Sequence, residues 1–184
     1  MPRVVGDRVM LREYRQEDLP EIRKWVNDAQ VTRFLSTRFW PPQTMVDTQQ
    51  FLERMLESSH MACNFVIADR DSQRYIGQLD LFRLDYRLRQ GEVGMVIGDG
   101  EDRGRGLGTE ALGLLLGYAF LTLGLERVEL EVDMGNTAAR RCYEKAGFVM
   151  EGVKRHAYYR DGAFCDLGML SVLREEWLAR QGTP

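Results

Sequence analysis

Cysteine is scarce in this sequence, three residues in 184, and Cys63, Cys142 and Cys165 are too scattered for a disulfide framework or the paired spacing of a zinc site. Histidine is scarcer still. His60 and His156 are the two present, which excludes a histidine-rich metal centre on count, and no metal is expected. Long apolar runs are missing as well. The greasiest stretch, Ala111 to Leu125, holds three glycines and lies between Glu110 and Glu126, well short of the roughly 20 apolar residues that span a bilayer. The opening residues Met1 to Asp7 lack the apolar core of a signal peptide, so a reduced, cytoplasmic protein away from the membrane is expected. Cationic charge is not in excess either: 25 Lys and Arg stand against 28 Asp and Glu, a net charge of −3. That removes the electrostatic reason to expect nucleic-acid binding and leans toward a cationic rather than an anionic substrate. Repeats, low-complexity tracts and linkers are absent. The chain, 44% hydrophobic, therefore reads as one domain over 1–184 with a sizeable core.

The order of elements is that of an α/β domain. Residues 8–14 read as a strand. Asp18 is placed to cap a helix over 19–28 with Pro20 in its first turn, and Val31 to Leu35 form a second short piece. Thr44 and Asp47 have capping-box spacing ahead of a helix over 45–58 that buries Phe51, Leu52, Met55 and Leu56. Strands follow at 64–68, 75–84 and 92–98. A helix over 107–123 is apolar on nearly all sides and so belongs against a sheet. In the strand Arg127 to Asp133, Val128, Leu130 and Val132 share one face, and Glu129, Glu131 and Asp133 the other. A helix over 137–146 ends at Gly147. Strands at 148–159 and 163–170 are joined by the hairpin signal Asp161-Gly162, and Ser171 is placed to cap a closing helix containing Trp177. The expected architecture is a mixed, mostly antiparallel sheet of about seven strands flanked by helices, with a core over about 8–171.

Between the 92–98 strand and the buried helix runs Asp99-Gly-Glu-Asp-Arg-Gly-Arg-Gly-Leu-Gly-Thr-Glu110. Glycines let the backbone approach a ligand and gather N–H groups in one concavity. The helix start adds partial positive charge suited to phosphate, and Arg103 and Arg105 can supply charge-assisted bonds. The dinucleotide pattern Gly-x-Gly-x-x-Gly fails, because position 109 is Thr. A Walker A loop fails for want of a Gly-Lys-Ser/Thr end. Alone, such a turn can also be merely a tight connection. A second segment, Asn136-Thr-Ala-Ala-Arg-Arg-Cys-Tyr143-Glu-Lys-Ala-Gly-Phe148, reads by itself as a capped helix with a core tyrosine as readily as a binding element.

Taken together, the two segments resemble the GNAT superfamily of N-acetyltransferases. Arg103-x-x-Gly106-x-Gly108 is similar to its pyrophosphate loop. Asn136, then Tyr143-Glu144-Lys145-x-Gly147-Phe148, is similar to its second coenzyme A motif, and the element order agrees over nearly the whole chain. Val9 to Arg12, Trp25 to Asp28, Glu151-Gly152, Asp161-Gly162, Asp166 and Glu176-Trp177 resemble the RimJ/RimL-like branch. That branch acetylates ribosomal-protein N-termini and also contains enzymes of spermidine, amino sugars and antibiotics.

The resemblance implies transfer of acetyl from acetyl-CoA, as cosubstrate, directly to a primary amine of a small molecule or a peptide N-terminus. A catalytically silent acyl-CoA sensor is the alternative, and a homodimer is common in the branch. Tyr143 is then the general acid beside the thioester sulfur; its phenol stays protonated at neutral pH. Glu131 leads as general base, through water, and Glu92 is second; an acceptor with a low amine pKa needs only water. Backbone groups of Met95, Val96 and Ile97 are the implied oxyanion donors and pantetheine partners. Asn136 positions the pantetheine, while Thr109 and the N–H groups of Gly104, Arg105, Gly106, Leu107 and Gly108 hold the pyrophosphate. Phe39 and Trp40, in a proline-rich loop, with Tyr86, Tyr158 and Tyr159, are candidate walls for the acceptor. His156 is read as surface or structural, and Cys142 as a small hydrophobe with no base to support a covalent route.

Overall fold

The structure is a computed structural model that describes residues 3–57 and 62–182. The expected end of the third helix at residue 58, and His60, lie outside the described residues. Eight strands form one sheet in the order β1-β2-β3-β4-β5-β6-β8-β7. They are β1 (Val4–Val5), β2 (Val9–Arg12), β3 (Cys63–Asp69), β4 (Tyr75–Asp85), β5 (Gln90–Ile97), β6 (Arg127–Asp133), β7 (Val149–Arg160) and β8 (Ala163–Leu173). Every neighbouring pair is antiparallel except β5 and β6. The strand beyond the expected seven is β1, two residues long.

Helices cover both faces. They are α1 (Leu19–Trp25), α2 (Ala29–Thr32), α3 (Met45–Leu56), α4 (Leu107–Gly117), α5 (Thr137–Ala146) and α6 (Arg174–Arg180). Period-two alternation sorts β3 between two cores: Phe65 and Ile67 pack with Ala111, Leu112, Leu115 and Leu116 of α4, while Val66 and Ala68 pack with Ile22 and Trp25 of α1 and Leu52 of α3. The sheet thus separates an α4 layer from an α1/α3 layer.

Several sequence expectations are corrected by tertiary contacts. Asp18 does not cap α1. Its carboxylate takes two bonds from Arg12, at 2.7 and 2.9 Å, and a third from the Arg15 amide, so it ties β2 to the turn before the helix. That helix stops at Trp25, not 28. The second piece begins at Ala29, where Asp28 accepts from the Gln30 amide. Thr44 and Asp47 do form the reciprocal capping box of α3, but Leu56, expected inside, is exposed. After Gly117 the fourth helix widens into a π-turn over Tyr118–Thr122. There Trp177 of α6 packs on Phe120, with ring centroids 5.7 Å apart. Ser171 caps nothing: it lies in β8, and Glu176 accepts from the Leu173 amide to start α6. Asp133, expected on the polar face of β6, is buried and ion-paired to Arg160 at 2.6 Å.

Candidate active site

The parallel pairing of β5 with β6 is brief. Gln90, Gly91 and Glu92 oppose Arg127, Val128 and Glu129, and beyond them the strands part. The gap opens a cavity of about 390 Å³ beside Met95, Val96 and Ile97 of β5, walled by the glycine-rich turn, by α5 and by the α2 segment. Because β5 pairs with β4 as far as Ile97, its opposite edge leaves backbone groups facing the gap, which is the arrangement that lets an extended ligand arm add as a strand.

The turn is held by charge from below. Asp102 is buried and accepts two bonds from Arg74, at 2.8 and 2.9 Å, with Arg105 at 3.5 Å. Arg8 fixes the other side: it donates to Glu110 of α4 at 2.8 Å and to the Arg105 carbonyl at 2.9 Å. Gly104 and Gly106 have φ of +72° and +80°, a region that L side chains enter only with strain. No side chain caps α4 at Gly106, so the first-turn N–H groups lack an intrahelical partner and sit at the positive end of the helix. Gly108 answers to space instead of conformation: a Cβ there would lie 3.1 Å from Met95 Cε and 3.4 Å from Cys142 Sγ. Across the gap, Asn136 caps α5 by accepting from the Ala139 amide at 3.1 Å, which leaves its Nδ2 group free of that bond. Gly147, at φ +110°, ends the helix.

Tyr143 points from α5 into this cavity and packs edge-on against Phe148 at 5.8 Å. Burial pushes its phenol well above the ordinary value, with Cys142 adding to the shift, so it remains a proton donor throughout the physiological range. Burial likewise raises the Cys142 thiol, against a smaller lowering by Thr109, which keeps it in the unreactive thiol form.

Of the residues singled out in the sequence, Met95, Val96, Ile97, Arg103, Gly104, Gly106, Leu107, Gly108, Thr109, Asn136 and Tyr143 line this one cavity, and Arg105 does not. Neither candidate base lines it. Glu131 is ion-paired with Lys154 of β7, and Glu92 with Arg83. The proposed acceptor aromatics are not brought there either. Phe39 packs on Trp25 at 5.7 Å, Trp40 and Tyr86 are exposed, and the Tyr158 hydroxyl accepts from Arg160.

Sequence reasoning missed the α2 wall, Gln30, Val31, Phe34 and Leu35, and two cations of α5, Arg141 and Lys145. The four-residue spacing of the cations, which puts them on one helix face, was a usable signal. The α2 wall had none, because it reaches the cavity through tertiary contacts. Arg160 lies 4.7 Å from the Phe34 ring centroid and donates to the Arg33 carbonyl at 2.9 Å. It thereby fastens the β7–β8 hairpin to that wall. Among the described residues, no group of three possible metal ligands clusters, and no helix is long and apolar enough to cross a membrane.

Comparison with known proteins gives the same frame. The profile of the acetyltransferase (GNAT) domain matches residues 8–149. The spermidine N(1)-acetyltransferase of Escherichia coli K12 is 27% identical over 176 residues, covering 96% of this chain and 91% of the relative. The alpha/beta-tubulin-N-acetyltransferase 9 of Homo sapiens is 26% identical over 157 residues, covering 79% and 74%. The crystal structure of spermidine N-acetyltransferase from Vibrio cholerae in complex with CoA and spermine superposes with a TM-score of 0.81 at 23% identity, over 94% of this chain and 99% of that one. A splayed strand pair, an uncapped glycine-rich helix start and a buried tyrosine opposite it thus occur on a chain whose sequence matches one family over most of its length: it belongs to the GNAT acetyltransferases and is an acyltransferase enzyme.

Proposed function

We propose that this enzyme transfers acetyl from acetyl-CoA directly to a primary amine of a small cationic molecule, with polyamines as the leading acceptor class. The observation that carries the reading is the single cavity uniting the Gly104–Thr109 turn with Tyr143. Its parts fit acetyl-CoA. First-turn N–H groups of α4 suit a diphosphate, Arg103, Arg141 and Lys145 supply cationic charge, and the free edge of β5 suits the amide-bearing pantetheine arm. Bound there, acetyl-CoA supplies an activated acyl carbon and a thiol leaving group.

The chain's own groups do the rest. Backbone N–H groups along Met95–Ile97 are placed to stabilise charge on the acyl oxygen, and the Tyr143 hydroxyl gives its proton to the departing sulfur. Glu131 and Glu92 already hold Lys154 and Arg83, so each would have to release a cation before taking the proton of the acceptor. The relatives include enzymes named for spermidine and for tubulin, so family membership alone leaves the acceptor class open. The small-molecule reading draws on the spermidine enzymes that match along nearly the full chain and on the net negative charge.

The test is product mass spectrometry with acetyl-CoA and four acceptor sets: polyamines, amino sugars, aminoglycosides and ribosomal N-terminal peptides. Acetylated polyamine with stoichiometric thiol release is expected. Acetylation of peptides alone transfers the reading to the ribosomal branch, and coenzyme A binding without thiol release from any set overturns it.

A further inference from the structure

On the α1/α3 face of the sheet, three side chains hold an oxygen that is buried and, among the described residues, meets no partner in full hydrogen-bond geometry: Tyr14 Oη, Gln78 Oε1 and Asp80 Oδ1. Tyr14 is 5% and Gln78 7% exposed. Gln78 and Asp80 alternate onto the same face of β4, and the Tyr14 hydroxyl lies close enough to bear on the Asp80 carboxyl. Buried oxygens are ordinarily satisfied. Three together, two of them acceptors only, call for a ligand that brings N–H donors.

The cluster adjoins the reaction cavity without lining it. Gln78 pairs with Val96 and Asp80 with Gly94 across β4 and β5, and Val96 lines the cavity. Gly94 places no side chain between Asp80 and the parted edge of β5; a Cβ there would meet only the Phe82 ring, at 3.2 Å. Among the described residues, no spare cation neutralises the carboxyl from within. The Tyr14 hydroxyl and the Phe65 amide act on it directly; Asp18 bears on both Tyr14 and Tyr75, Arg12 bears on Tyr75, and Glu92 lies two residues along β5 from Gly94. The Arg12 charge is taken by Asp18 and the Glu92 charge by Arg83.

We infer that Tyr14, Gln78 and Asp80 form the subsite for the protonated primary amine of the acceptor, and that Asp80 takes the proton the ammonium must lose before attack. The inference rests on the amine-acetylation reading above. In the step, one N–H proton passes to the Asp80 carboxylate and the freed lone pair forms the N–C bond to the acyl carbon. The C–S bond breaks, and the sulfur takes the Tyr143 proton. Product leaves as the neutral amide after the nitrogen loses its second proton to water. Burial pushes Asp80 up to about 7, with the Tyr14 hydroxyl and the Phe65 amide pulling it back. A base of that kind is ionised in part of the population at neutral pH and takes up a proton readily.

Two measurements on the full chain decide the matter. In wild type, kcat/KM for spermidine should rise with pH to a plateau, with a midpoint near 7. Asp80→Asn should lose that limb and fall by about 10²- to 10⁴-fold, with coenzyme A affinity kept within about twofold. Tyr14→Phe, which removes a group that lowers the Asp80 pKa, should move the midpoint to higher pH; it serves if Asp80→Asn fails to fold. Carboxyl-¹³C NMR of Asp-labelled protein gives a readout without turnover: saturating spermidine should lower the Asp80 midpoint, because an ammonium favours the carboxylate. A wild-type pH profile in Asp80→Asn, or in Tyr14→Phe where that variant is used, overturns the inference. So does an Asp80 resonance indifferent to spermidine. If no amine is acetylated yet spermidine still moves that resonance, the transfer reading fails while the ammonium subsite stands.

Discussion

Replacing Gly106 by alanine separates conformational from spatial demand in the cofactor turn. At φ +80° an L-residue carries about 1–2 kcal/mol of left-handed strain. The added Cβ meets only the tip of Arg8, at 3.4 Å, so strain and not collision sets the cost. For a domain of this length each kcal/mol is worth about 2–4 °C in Tm, which gives a drop of about 2–8 °C. If the turn relaxes to escape the strain, one charge-assisted N–H contact to diphosphate, worth about 1.5–3 kcal/mol, is lost. Coenzyme A should then bind about 10- to 100-fold more weakly. Gly108→Ala is the control. Its φ is not positive, and its Cβ meets Met95 Cε at 3.1 Å, the end of a flexible side chain that can yield. The helical gain of up to about 1 kcal/mol over glycine offsets that repacking, so Tm should stay within about 3 °C. Thermal melts with and without coenzyme A, together with calorimetric Kd, read both quantities. Equal Tm and equal affinity in the two variants would refute the argument that Gly106 is held in the left-handed region by the site.

Other outcomes follow from the same contacts. Tyr143→Phe should keep coenzyme A affinity within a few fold and lower kcat by about 10²-fold or more; a single-turnover rate equal to wild type removes the hydroxyl from the chemistry. Asp18→Ala strands the Arg12 guanidinium, whose side chain is 3% exposed, and should cost about 3–5 kcal/mol in urea unfolding. Glu21→Ala, which removes the exposed pair with Lys24, should stay below about 1 kcal/mol. Arg160→Lys, which keeps a cation for the buried Asp133 but loses the planar guanidinium over Phe34, should raise KM for the acceptor more than the Kd of coenzyme A; a larger change on the cofactor side would show that the brace serves the other half of the cavity.

The turn and the α5 wall of the cavity were legible in the sequence because their determinants are local. Left-handed glycines, an uncapped helix start and Asn136 and Tyr143 on one short helix are each written within a dozen residues, and backbone geometry translates them directly. Alternation likewise sorted Val128, Leu130 and Val132 inward, as observed. Charged residues were read less well. Asp18 and Ser171 stand at plausible capping positions, yet Arg12 claims the first and β8 absorbs the second. Asp133 alternates with Glu131 on paper and is buried in fact, because Arg160, 27 residues on, reaches it.

What the sequence determined by itself was the order of elements, the apolar face of β6 and the place of the glycine-rich turn, since each depends on propensities and spacings within a single segment. What only the tertiary structure decided was where β5 and β6 part and which helix walls the opening. It also decided which carboxylates keep a cationic partner and which, like Asp80, have only the Tyr14 hydroxyl and the Phe65 amide beside them. Those are properties of surfaces brought together from distant parts of the chain, and the energy of burying a charge depends on what arrives beside it.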